Sequence, residues 1–212
     1  MLITFEGIDA SGKSTQIRLL AHRLEAEGVD FVLTKEPGGT AMGQKIRQIL
    51  LDPANRSLTP QAELLLYLAD RVQHLEEVIR PALAAGKLVL CDRYHDATLA
   101  YQGAGRGLDL AWMDAFAQQQ LLRPALTLWF DISPAVSRKR LEQRNRELGQ
   151  ELCRLEAEDI SFFTRIRQGY QALANSDPAR FHRINGEANV EEVRAQVWDL
   201  VHQVPEKLSF LR

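Results

Sequence analysis

The chain has 212 residues, 45% of them apolar and 25% charged, which suits one globular α/β domain with a sizeable core. Its formal charge of −2 supplies no positive field for nucleic acid or an anionic membrane, and no apolar run approaches the ~20 residues that span a bilayer. Two cysteines, Cys91 and Cys153, are too few for a disulfide or zinc framework and fit a reducing, cytoplasmic compartment.

Leu2 to Glu6 reads as a first strand, and because the chain enters it at once no signal peptide is expected. Gly7-Ile8-Asp9-Ala10-Ser11-Gly12-Lys13-Ser14 follows, a full match to the phosphate-loop pattern G-x-x-x-x-G-K-[ST], and a helical pattern starts at Thr15. The strand-to-helix context is the one this motif needs. Gly7 and Gly12 would let backbone N–H groups turn onto phosphate oxygens, Lys13 would reach the outer phosphates, and the Ser14 hydroxyl would ligate Mg²⁺. Gly28 can end the first helix.

A second strand, Phe31 to Thr34, leads into Lys35-Glu36-Pro37-Gly38-Gly39-Thr40, which by itself is only a loop. Thr59-Pro60 opens a long helix as N-cap and first residue, and Gly86 can end it. On that helix Tyr67 and Arg71 are four apart and share a face, either as a stacking ring and donor for a planar base or as a core tyrosine beside a solvated arginine. The spacing alone favours the second alternative, and His74 reads as a helix-surface residue. Leu88 to Asp92 is a third strand, with Cys91 as an inert core thiol. Asp92, at its end, could hold Mg²⁺ directly or through water, and Arg93 could bridge two phosphates; the alternative is a surface salt bridge.

Asp109 precedes a helix whose Trp112, Met113 and Phe116 suit an apolar face. A fourth strand, Leu126 to Ile132, meets Ser133-Pro134, another helix start. The next helix carries Arg138, Lys139, Arg140, Arg144 and Arg146, with Arg154 following. On composition this is a solvated face; after the fourth strand of a phosphate-loop fold it suits a mobile lid near 142–154. Phe181 to Asn185 is a fifth strand, and Asn189 can cap the last helix. The strands lack clean polar alternation, so the expected architecture is α/β: a doubly wound five-stranded parallel sheet with helices on both faces, in one domain over 1–212. Ligands of such sheets lie beyond the carboxyl ends of the strands, where every polar motif here falls.

Together, Phe5 to Thr15, Glu36-Pro37-Gly38-Gly39-Thr40, Ala69-Asp70-Arg71, Asp92-Arg93-Tyr94, Ala100 to Leu108 and Arg154-Leu155-Glu156 resemble the thymidylate kinases, nucleoside monophosphate kinases of the phosphate-loop fold. The resemblance spans Leu2 to about Gly186. It implies transfer of the γ-phosphoryl of ATP to dTMP, with Mg²⁺, in dTTP biosynthesis. It implies that Gly7, Ile8, Asp9, Ala10, Ser11, Gly12, Lys13, Ser14 and Thr15 hold ATP, and that Asp9 lies near the acceptor's sugar and phosphate. It implies that Lys35, Arg47 and Arg93 contact the acceptor side and that Glu36 organises Mg²⁺ or the sugar. Tyr67 would stack on thymine, Arg71 would donate to a thymine carbonyl, Thr98 and Gln102 would approach the remaining base edge, and Tyr101 would pack on the deoxyribose. Ser14, Asp92 and Glu36 are then the metal candidates, and Lys13, Arg93, Asp9, Arg144 and Arg146 the catalytic ones. The resemblance also implies a homodimer.

Some positions depart from the family. Ala10 leaves the phosphate loop without a basic side chain, so a lid arginine, Arg144 or Arg146, must supply that charge. Lys35 stands where Arg is common and loses bidentate contact. Tyr67 replaces a common Phe, Ala97-Thr98 a common Ser-Ser, and Cys153 a common Asp. Two rivals are considered: a GTP-dependent switch, for which no Asn-Lys-x-Asp motif is present, and another small-molecule kinase on this fold.

Overall fold

The computed structural model describes residues 1–149 and 151–203; Gln150 of the expected lid, and the tail from Val204 to Arg212, lie outside the described residues. Five parallel strands, β1 (Leu2–Glu6), β2 (Phe31–Lys35), β3 (Leu88–Asp92), β4 (Leu126–Asp131) and β5 (Phe181–Asn185), lie side by side in the order β2-β3-β1-β4-β5. All fall within a residue of their sequence-predicted bounds. The central strand β1 pairs Ile3 with Leu90 of β3 on one side and with Leu126 of β4 on the other.

Helix starts follow the capping chemistry in the sequence. The side chains of Thr40, Thr59, Asp109, Ser133, Asp159 and Asn189 accept hydrogen bonds from backbone N–H groups in the first turns of α2 (Ala41–Leu51), α3 (Pro60–His74), α6 (Leu110–Gln120), α7 (Pro134–Leu148), α8 (Ile160–Ser176) and α9 (Val190–His202). Each such cap is worth about 1 kcal/mol. The helix of the phosphate loop, α1 (Lys13–Ala26), instead starts from Gly12 at φ 97°, a conformation that favours glycine. The long helix continues from α3 through a π-helical turn, Leu75–Ile79, into α4 (Arg80–Ala84), and Gly86 follows at φ 77°. The π turn lies just ahead of Pro81, whose missing N–H would break an α ladder there. After β3, a short α5 (His95–Thr98) runs into a second π-helical segment, Leu99–Gly105, which carries Tyr101 and Gln102.

Alternate residues of β1 face opposite layers. Ile3 and Phe5 pack with Ile17, Leu20 and Leu24 of α1 and Val193, Val197 and Val201 of α9. Burying each such side chain contributes roughly 1.5–3 kcal/mol. The other face packs against the long helix, the second π-helical segment and α8, through Leu75, Tyr101, Phe162 and Tyr170. Here the sequence expectation of apolar strands on both faces needs correction. Thr4 and Glu6 of β1 point into this second layer and are buried. Thr4 Oγ1 hydrogen-bonds Thr127 Oγ1 at 2.8 Å, and Arg180 ties Thr127 to Asp96. The polar residues are tolerated because each finds a partner. The expected apolar face of α6 is also split. Met113 packs among Leu64, Leu68 and Leu99, whereas Trp112 stacks on Phe116 and is half exposed.

Candidate active site

The carboxyl ends of β1, β2 and β3 bring the phosphate loop, the Glu36 loop and Asp92-Arg93 to one edge of the sheet. Asp9, Ala10, Ser11, Gly12, Lys13, Ser14 and Thr15 line an open cleft of about 460 Å³, together with Lys35, Asp92, Arg93 and Arg144. Gly7 and Ile8 stand behind this wall. At Gly7, φ is 138° and a Cβ would come within 2.5 Å of Phe130 O, so close approach to β4 dictates glycine there. Ile8 is a core residue.

Lys13 is buried, and its ammonium donates to Gly7 O at 3.0 Å, Ile8 O at 3.0 Å and Ser11 Oγ at 3.3 Å. Burial, with Arg93 nearby, lowers its pKa to about 8. Ser14 Oγ donates to Asp92 Oδ2 at 3.0 Å. These two oxygens suit a hard divalent cation, so Ser14 and Asp92 fit a magnesium site.

Arg93 sits at φ 71° directly after β3, and its guanidinium donates to Gly7 O at 2.9 Å and to Asp9 Oδ1 at 2.7 Å. Tyr101 Oη donates to the other oxygen, Asp9 Oδ2, at 3.1 Å. Burial would raise the Asp9 carboxyl, but Arg93 and Lys13 outweigh it and hold Asp9 below the usual carboxylate range. The basic bridge and its counter-charge therefore face the phosphate cleft as a charged pair.

Behind this pair a second cavity is lined by Tyr67, Arg71, Thr98, Tyr101 and Gln102, with Asp9, Glu36, Arg47 and Arg93 at its polar end. Arg71 is buried, not solvated. Its Nε donates to Glu36 Oε2 at 2.6 Å, one terminal nitrogen to Thr98 Oγ1 at 2.5 Å and the other to Tyr94 O at 2.9 Å. Glu36 Oε1 takes a hydrogen bond from His74 Nδ1 at 2.8 Å, and His74 Nε2 meets Thr34 Oγ1 at 2.6 Å. One expectation is corrected by this chain of contacts. His74 is not a helix-surface residue; three positions after Arg71, it shares the inward face of α3. Glu36 has one oxygen engaged by Arg71 and the other by His74, so it fixes the Arg71 guanidinium in place. Asp70, beside Arg71, accepts from Gly38 N at 3.0 Å and so fixes the Glu-Pro-Gly-Gly loop. Arg47 donates to Pro37 O at 3.0 Å and reaches both cavities, while Lys35 lines only the phosphate cleft of the two.

The segment expected as a lid is mostly helix: α7 runs to Leu148, and Gly149 follows at φ 61°. Of the two candidate arginines, Arg144 lines the phosphate cleft and donates to Glu156 Oε1 at 2.8 Å. Arg146 is exposed and returns to Glu142 O of its own helix, away from the cleft residues. Arg140 reaches Ala10 O and Gly186 O at 3.3 and 3.0 Å, against the back of the loop. Cys153, Leu155 and Glu156 close one side of the second cavity, and Glu156 Oε2 accepts from Cys153 N at 3.1 Å. Sequence reasoning assigns no role to Glu6, Glu63 or Glu156. The signals present are weak: Glu6 is a charge ending an apolar strand, and Glu63 lies one turn before Tyr67.

A parallel 2-3-1-4-5 sheet, a phosphate loop opening α1, and a second cavity joined to the loop by Arg93 define a phosphate-loop nucleoside monophosphate kinase fold. The family model for thymidylate kinase matches residues 5–197. A thymidylate kinase of Desulfovibrio desulfuricans is 48% identical over 92% of this chain and 92% of that protein. One of Desulfosudis oleivorans is 45% identical over 97% of this chain and 98% of that protein. The crystal structure of thymidylate kinase from Ehrlichia chaffeensis superposes with a TM-score of 0.75 at 34% identity, covering 95% of this chain and 98% of that one. The chain belongs to the thymidylate kinase family and is an enzyme of that kind.

Proposed function

We propose that the protein transfers the γ-phosphoryl group of ATP to the 5′-phosphate of dTMP, giving dTDP and ADP, as a step of dTTP biosynthesis. The observation that carries this reading is Arg93, whose guanidinium stands between the phosphate loop at Gly7 and the acceptor cavity at Asp9. An acceptor phosphate oxygen is already anionic. It attacks the γ-phosphorus in line as the bond to the β-phosphate oxygen breaks, and no strong general base is required. Catalysis is then positioning and charge neutralisation. Lys13 exchanges its contacts with Gly7 O and Ile8 O for phosphate oxygens, Arg93 spans donor and acceptor, and Arg144 adds positive charge from α7. Lys35 and Arg47 hold the acceptor phosphate. Ser14 and Asp92 would hold Mg²⁺, which neutralises phosphate charge when bound. Asp9 keeps Arg93 and Tyr101 in place, Tyr67 stacks on thymine, and Arg71 donates to its carbonyl with Thr98 and Gln102 along the remaining edge.

Residues 142–154 act as the lid of this single kinase domain. The turn carrying Cys153 and Leu155 lines the small acceptor cavity and opens to admit a nucleotide. Closing it again excludes water, a competing acceptor. The partner is a second copy of the chain. Helix α2 packs on α3, α3 meets α6 through Leu64, Leu68 and Met113, and the three helices expose Met42, Ile49, Leu65, Val72 and Trp112. No helix among the described residues is long and apolar enough to cross a membrane. The free thiols of Cys91 and Cys153 support a cytoplasmic location.

The test is ADP release with Mg²⁺-ATP across dTMP, dUMP, UMP, CMP, AMP and GMP, with Lys13→Ala as blank. Strong preference for dTMP is expected; preference for a different base would overturn the acceptor assignment while keeping the chemistry.

A further inference from the structure

We propose that Glu63 is the positioning residue that sets which way the amide of Gln102 faces, so that the carbonyl oxygen and not the amine is offered to the acceptor base; this rests on the acceptor reading above.

Glu63 lies on α3 one turn before Tyr67 and is fully buried. Four hydrogen bonds converge on its carboxylate. Oε1 accepts from Gln102 Nε2 at 2.9 Å and from Arg106 Nε at 3.2 Å. Oε2 accepts from a terminal nitrogen of Arg106 at 3.1 Å and of Arg154 at 2.6 Å. Burial would raise this carboxyl, but the bonds from Arg106, Gln102 and Arg154 outweigh it and hold Glu63 below the usual range. It is therefore ionised, and an ionised carboxylate only accepts.

A glutamine amide can usually face either way. Here the reversed amide would set oxygen against oxygen in a buried place, and that arrangement is costly. The NH₂ end must face Glu63. Gln102 is itself buried and lines the acceptor cavity, and among the described residues its Oε1 accepts no hydrogen bond. The oxygen is the polar atom left for the base.

Arg71 lines the same cavity as a donor. Donor and acceptor together complement an edge that presents a carbonyl beside a ring N–H, as in thymine or uracil. Cytosine presents the reverse, an amine beside a bare ring nitrogen, and meets two like-with-like contacts. Glu63 does not line the cavity, so its influence on the base passes through Gln102. Arg154 adds a second link: it also donates to Leu50 O at 2.8 Å, so the turn after α7 closes onto the same carboxylate.

The experiment compares wild-type and Glu63→Gln enzyme with dTMP and dCMP at saturating Mg²⁺-ATP, with thermal melts as a folding check. Wild-type enzyme that fails to use dTMP sinks the acceptor reading, whatever Glu63 does. With an active wild type, Glu63→Gln lets Gln102 turn. The expected result is about a tenfold rise in KM for dTMP, a smaller change in kcat, and a fall of about tenfold or more in the dTMP-over-dCMP ratio of kcat/KM. A folded variant whose activities on both acceptors fall together, with the ratio unchanged, overturns the proposal. If the variant does not fold, the side-chain amide spectrum of the ¹⁵N-labelled wild type decides, with Gln102→Leu for assignment. A downfield amide proton on Gln102, protected from exchange, supports the fixed orientation; a freely exchanging pair at solvated positions overturns it.

Discussion

Arg71 and Glu36, from α3 and from the loop after β2, form a buried ion pair at 2.6 Å on the wall of the cavity lined by Tyr67 and Gln102. The pair is completed by His74, so the Arg71 guanidinium has little rotamer freedom left to lose on binding. Breaking one side of such a pair leaves a buried charge uncompensated, at about 3–5 kcal/mol. Glu36→Gln should therefore lower unfolding stability by about 3 kcal/mol in urea titrations and raise the KM for dTMP about tenfold. Stability and KM both near wild type would show that Arg71 is held by Thr98 and Tyr94 alone.

Arg144 and Arg146 sit two residues apart on α7, but only Arg144 lines the phosphate cleft. Replacing Arg144 by Ala should lower kcat about 10²-fold, the scale of removing one charge-stabilising donor. Arg146→Ala should stay within about twofold. Steady-state rates on Mg²⁺-ATP and dTMP separate the two; the opposite ranking would place the catalytic charge on a different conformation of α7.

Lys13 has a pKa lowered to about 8, chiefly by burial, with Arg93 adding to it. Bound phosphate favours the ammonium and raises that value. Nucleotide binding near pH 8.5 should then take up a proton, and affinity should fall by up to about tenfold per pH unit above 8. Calorimetry in two buffers of different ionisation enthalpy reads the uptake directly, and Lys13→Met should abolish it.

How much of this was legible differs by level. The phosphate loop, five strands and the caps at Thr59, Ser133 and Asn189 could be read because each depends on local chemistry. The placement of Arg71 could not be read from spacing, which favoured a solvated side chain. Its burial is set by Glu36 and Thr98, which are 35 and 27 residues away along the chain. His74 reads as a surface residue for the same reason: its partners Glu36 and Thr34 are far away along the chain. Arg144 and Arg146 were indistinguishable because a helix turns about 200° over two residues, and only tertiary packing says which side meets the cleft.

Trp112 is half exposed beside the fully buried Met113. If a second copy covers α2, α3 and α6, Trp112→Asp should shift sedimentation from dimer to monomer at micromolar concentration and leave the fold intact by circular dichroism. A wild-type chain that sediments as a monomer at those concentrations would remove the dimer from the account.

Glu6 shows how a buried charge can be read as a pH dependence. It is fully buried at the end of β1, with Oε1 accepting from Tyr94 N and Oε2 from Tyr170 Oη, both at 2.8 Å. Burial, with Asp96 nearby, raises its pKa from 4.5 to about 8. Between those values the folded chain keeps a proton that the unfolded chain has lost, so stability falls as pH rises. Below the lower value both states are protonated, and the difference vanishes. Glu6→Gln keeps the shape and the neutral charge and has no such slope. Relative to wild type, the variant should be near neutral at pH 5 and gain stability progressively as pH rises toward about 8. Chemical denaturation of both proteins at pH 5, 6.5 and 8 measures this, and parallel stability profiles would mean that Glu6 stays ionised through neutrality.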